Sequence, residues 1–188
     1  MGPVLFPPFA RLTAAHRAGI LAAMLLDELE AQTWMPVARL ESLCQSHRNR
    51  PNYTRTVAEA VASGSAELER SGGWLLRREV EVRGDFPTED WMVIVDALPG
   101  VRSWAGQLQL CQLLSERPSL MDAAPPEVAQ FLRGCTQHPK PTVRAWAVTA
   151  FHELGRRDAQ FRAEARRHVA AAGRDPAKCM QARLRHLR

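Results

Sequence analysis

The sequence predicts a mainly α-helical protein in two parts, on three observations. Leu and Ala, the strongest helix formers among apolar residues, carry most of the apolar content, while there are only six Phe and one Tyr. Apolar residues recur at three- and four-residue spacing between short Gly, Pro and Asp turns. The pattern VR[S/A]WA occurs twice, as Val101-Arg102-Ser103-Trp104-Ala105 and as Val143-Arg144-Ala145-Trp146-Ala147, at a spacing of 42. With 46% hydrophobic and 24% charged residues, the 188-residue chain can bury a core and is poorly suited to disorder.

The C-terminal half reads element by element. Trp91 to Leu98, Val101 to Leu114 and Pro126 to Cys135 are expected helices. Thr88 is expected to cap the first of them, with Glu89 and Asp90 suiting its positive end. Pro141 suits a first helical turn, and Val143, Trp146, Ala147, Ala150, Phe151 and Leu154 then fall on one face. Gly155 is expected to end that helix. Phe161, Ala165, His168, Val169 and Ala172 form a second stripe, closed by Gly173. Asp175-Pro176 opens a last helix with Met180, Leu184 and Leu187 inward. A weaker third copy of the pattern begins at Pro176, where Met180 and Gln181 replace Val143 and Arg144. Helices this short, joined by turns of a few residues, pack antiparallel.

On these residues the chain resembles the HEAT-repeat family over about 87 to 188, in which the second helix of each unit opens with Pro or Asp followed by V-R-x-x-A. The resemblance implies an α-solenoid of antiparallel helix pairs. It implies that Val101, Arg102 and Trp104, and Val143, Arg144 and Trp146, are scaffold residues, the arginines tying neighbouring repeats together.

Residues 1 to 84 read differently. Leu12 to Gln32, Pro36 to Cys44 and Asn52 to Ala62 are expected helices, the last with Tyr53, Val57, Ala60 and Val61 inward and closed by Gly64. Ser71-Gly72-Gly73 is a poor helix centre and a good hairpin turn, and Glu79 to Arg83 alternates polar and apolar. Three helices and a hairpin look like a winged helix-turn-helix in layout. A further HEAT-like pair is the competing reading. Gly84 to Pro87 is the expected link between the two parts.

Chemistry is sparsely encoded. Cys44, Cys111, Cys135 and Cys179 form no CxxC, so reduced, buried thiols are expected, which suits an intracellular protein of cytoplasm or nucleus and not a secreted one. The longest apolar run, Ala18 to Leu26, is too short for a membrane span, and the N-terminus has no signal-peptide pattern. No GxSxG, HExxH or P-loop occurs, so neither a cofactor nor a catalytic centre is expected. Cys135 and His138 have metal-like spacing but no second pair of ligands. Some alkylpurine DNA glycosylases are HEAT-like stacks with a groove Trp and Asp, and Trp91 and Asp96 resemble that pair. At i, i+5 they would not share a helix face.

Charge is the remaining signal. Residues 139 to 188 hold twelve Lys and Arg against four Asp and Glu, so a net +8 within a chain of +5. Arg156, Arg157, Arg162, Arg166, Arg167, Lys178, Arg183, Arg185 and Arg188 could form one basic ridge for nucleic acid or an acidic partner. Arg48, Arg50 and Arg55 would lead into and start a recognition helix, with Arg77 and Arg78 on the wing, although Glu59, Glu67, Glu69, Glu79 and Glu81 crowd the same region. The expected function is a non-catalytic adaptor that docks a protein partner within a larger complex. DNA or RNA binding is the first alternative and a HEAT-like glycosylase the remote one.

Overall fold

The computed structural model describes residues 14–31 and 34–187. They form ten α-helices: α1 (Ala14–Glu30), α2 (Val37–His47), α3 (Tyr53–Val61), α4 (Ala66–Arg83), α5 (Thr88–Ala97), α6 (Trp104–Glu116), α7 (Pro125–Thr136), α8 (Pro141–Arg157), α9 (Arg162–Ala172) and α10 (Lys178–Arg185). There is no strand among the described residues. The expected helix ends at Leu12 and Gln32 fall outside them, as does Arg188.

Each element has a local cause. Ser65 caps α4 by accepting from the Leu68 N–H, and Ser103 caps α6 by accepting from the Gly106 N–H at 3.1 Å. Pro141 sits at the first position of α8, as expected. Gly64 and Gly84 take left-handed φ values of 75° and 86° where α3 and α4 stop, a conformation open to Gly at little cost.

Three expectations are corrected. The hairpin is absent, and with it the wing, because α4 runs unbroken through Ser71-Gly72-Gly73. Packing explains the glycines. A Cβ on Gly72 would lie 2.9 Å from Ala60 Cβ and 3.0 Å from the Val61 nitrogen, and one on Gly73 would lie 2.9 Å from Gln109 Cβ. Consecutive residues on a helix point about 100° apart, so the pair lets α3 and α6 each approach α4 closely. Gly155 likewise does not end α8, which continues to Arg157; its missing side chain makes room for Ala165 of α9, whose Cβ would be 2.5 Å from a Gly155 Cβ. Thr88 is the first residue of α5 and not its cap. Pro87 holds the cap position, and no side chain closes it.

The helices associate in a regular order. α4 packs on α6, α6 on α8 and α8 on α10, with α2 against α4 at the other end. Of the odd-numbered helices, α3 flanks both α4 and α5, α7 lies against α8, and α9 lies against α8. One apolar core runs from Leu25 to Ala165, on both sides of the Gly84–Pro87 link. A smaller cluster of Ala145, Val148, Ala172, Met180 and Leu184 seats α10.

Candidate binding surfaces

The two VR[S/A]WA copies do not occupy equivalent places. Val101, Arg102 and Ser103 precede α6, and Trp104 begins it, whereas Val143 to Ala147 lie inside α8. Val101 and Val143 are both buried. Arg144 ties two turns together: it donates to Asp175 Oδ2 at 2.8 and 3.0 Å and to the carbonyls of His138 and Pro139. The equivalent anchoring around Arg102 is made by its backbone. The buried Glu69 of α4 accepts from the Arg102 N–H at 3.3 Å and the Ser103 N–H at 2.8 Å. Glu69, expected to repel phosphates, is thus a helix-terminus anchor.

The ridge expected at the C-terminal end is divided. Arg157 makes a bidentate pair with Asp122, and Arg156 pairs with Glu153 at 3.4 Å. Both Asp122 and Glu164 are held below the usual carboxylate range by hydrogen bonds from arginine, Arg157 for the first and Arg133 for the second. Arg183 lies over the Trp146 ring at 3.1 Å, and burial lowers its pKa. Arg162, Arg166 and Arg167 project into solvent from α9 and form no salt bridge among the described residues. Lys178 and Arg185 are also exposed.

The N-terminal arginines are mostly neutralised. Arg48 and Arg83 clamp the fully buried Glu79, Arg55 pairs with Glu59 on α3 at 3.0 Å, and Arg50 is half-buried. Arg77 reaches Glu116 and Gln112 of α6, and Arg78 reaches Glu41 and Glu81. Of the arginines expected on the recognition helix and wing, Arg50 alone makes no salt bridge among the described residues.

Other sequence candidates are dispersed. Trp91 is buried while Asp96 of the same helix is exposed. Cys111 and Cys135 are neighbouring buried thiols, and burial pushes the Cys111 thiol up. His138 is turned to its own loop, accepting from the Lys140 N–H at 3.0 Å. No group of three metal-ligating side chains occurs among the described residues, and no described helix is long and apolar enough to cross a membrane.

One feature escaped the sequence reading. Three tryptophans each carry a cation from farther along the chain: Arg70 over Trp34 at 4.6 Å, Lys140 over Trp104 at 4.5 Å, and Arg183 over Trp146. Each cation lies 36 or 37 residues beyond its indole. That offset was findable, but only by pairing residue types a repeat apart and not by matching a motif. Trp34 and Trp104 line a groove of about 470 Å³ across the N-terminal ends of α4, α6 and α8.

Comparison with protein-family models, curated proteins and solved structures finds no match.

Proposed function

We propose that this chain is a non-catalytic binding scaffold, a HEAT-like stack of helix pairs that docks a protein partner within a larger intracellular assembly. One observation carries the reading, the recurrence of tertiary ties between residues 31 to 39 apart. Arg48 to Glu79, Arg133 to Glu164 and Arg144 to Asp175 are each 31 residues apart. The three indole–cation pairs add offsets of 36 and 37. Such offsets suit units of about 30 to 40 residues that touch their neighbours in chain order, as in repeat arrays. The succession of α2, α4, α6, α8 and α10 supports the same organisation. Repeat stacks offer extended surfaces with little preorganised chemistry. Exposed apolar side chains on the first two helices, Ile20, Met24 and Val37, suit protein docking.

Affinity capture from native extract, with and without nuclease, tests this. A stoichiometric protein partner that survives nuclease and rebinds the purified chain is expected. Capture that disappears with nuclease would overturn it in favour of nucleic-acid binding. The solvent-facing Arg162, Arg166 and Arg167 favour that second reading, a DNA or RNA binder using the basic C-terminal ridge. Under it, duplex affinity falls steeply with salt, and charge reversal of these three arginines abolishes it.

A further inference from the structure

We propose that the groove across the N-terminal ends of α4, α6 and α8 binds single-stranded nucleic acid, with Trp34 and Trp104 stacking on bases and Arg70, Arg102 and Lys140 taking the phosphates. The site is distinct from the α9 ridge, and binding here does not depend on the protein-docking reading.

The groove's lining sets its ligand. Trp34 is 68% exposed and Trp104 41%, so part of each indole stays in water even with a cation over its ring, Arg70 on Trp34 and Lys140 on Trp104. A large aromatic left in solvent beside fixed cations is a platform for a planar, anionic group. The groove is lined by three cations, Arg70, Arg102 and Lys140, against one carboxylate, Glu67. The N-terminal ends of three helices converge on it; Glu67 and Glu69 already offset those of α4 and α6, whereas the first turn of α8 holds no acidic residue and keeps favourable potential for an anion. These helices have 18, 13 and 17 residues, so their terminal dipoles are fully developed.

The repetition favours a polymer whose every unit brings both a ring and a negative charge. Trp34, which meets Arg70 of α4, and Trp104, at the start of α6, line the same groove and so offer two platforms to one bound strand. A nucleotide supplies a base and a phosphate together at each step. An acidic peptide supplies charge without a plane at most positions. A duplex keeps its base faces stacked inside and leaves only phosphates to contact, which suits the arginines of α9 better than this groove.

Fluorescence anisotropy of a labelled oligo-dT of about twelve nucleotides, titrated with the full chain at about 50 and 200 mM salt, tests the assignment. Competitors are the matching duplex and a poly-glutamate peptide of equal length. The expected result is binding at low salt with quenching of indole emission, and at least tenfold preference over both competitors. Trp34→Ala and Trp104→Ala should each weaken binding roughly tenfold, from loss of base stacking. Trp104→Phe, which keeps a ring, should retain most of the affinity and guards against a folding defect. Lys140→Ala should reduce the slope of log affinity against log salt by about 0.7, the share of one phosphate contact. No oligo-dT binding at low salt would overturn the proposal. So would binding indifferent to the tryptophans but lost on charge reversal of Arg162, Arg166 and Arg167, which would place it on α9. Tighter binding of the peptide through the same groove residues would make the site a protein-docking surface.

Discussion

The same five-residue pattern builds two different objects in this molecule. Around α6 it is a helix start: Val101 is buried in the approach, Ser103 caps, and Trp104 opens the helix. Within α8 it is helix interior, with Val143 and Ala147 facing the core. The two differences between the copies and their flanks account for this. Ser103 is replaced by Ala145, which cannot cap, and Gly100 is replaced by Thr142, which loses less entropy in a helix than glycine does. Helix α8 therefore begins at Pro141, before its copy, and α6 begins at the fourth residue of its own. Their neighbours compensate differently. Glu69 of α4 satisfies the backbone of the first copy, while Arg144 of the second satisfies the carbonyls of its own approach and holds Asp175. Tertiary partners thus complete whatever the local start of each helix leaves open.

The largest effect is expected at the C-terminal end of α8. Gly155→Val would drive a side chain into Ala165 and the backbone of Arg162, costing about 3 kcal/mol or more by denaturant unfolding. A cost under about 1 kcal/mol would mean that α9 moves aside and the α8–α9 contact is looser than its packing indicates. Next is Glu69→Ala, which removes a buried acceptor from two backbone N–H groups and should cost about 2 kcal/mol. Glu69→Gln, keeping one carbonyl oxygen, should recover part of it. Ser103→Ala removes the α6 cap and should cost about 1 kcal/mol, whereas Ser placed at Ala145 gains no cap and should not stabilise α8. If Ala145→Ser stabilises the protein, the two copies are more alike than the structure has them.

The smallest effect concerns Asp175. The Ala177 N–H and then the Arg144 guanidinium hold its carboxyl below 3.8, its ordinary value. The unfolded chain therefore takes up the proton first. The stability from this pair is present in full at neutral pH and is lost as the pH falls from about 4 through the depressed value. Asp175→Asn should cost about 0.5–1 kcal/mol at pH 7, because the pair is part-exposed, and should flatten the acid limb of a plot of Tm against pH. An unchanged acid limb would show that the Arg144 tie of the second copy contributes nothing.

Much of the helical part was legible because short helices with strong apolar stripes leave a periodic trace. Tyr53, Val57, Ala60 and Val61 are buried as their spacing required, and so are Val143, Ala147, Ala150, Phe151 and Leu154. The misreadings share a cause. Gly72, Gly73 and Gly155 were read as local breakers, but each is a contact residue that lets two helices come together, and only the neighbouring helix reveals that. Charge was misread for the same reason. Arg48 and Glu79, or Arg157 and Asp122, are far apart in sequence, and their pairing removes charges that composition counts as free.

The sequence by itself determined the helical class, most of the helix positions and the identity of the core faces. Those follow from backbone propensity and the 3.6-residue period, which act within a few turns. Tertiary structure decided which glycines sit inside helices, which arginines keep a free charge, and that Trp34 and Trp104 meet on one groove. Those depend on side chains a helix pair or more away, which the 3.6-residue period within one helix does not reach.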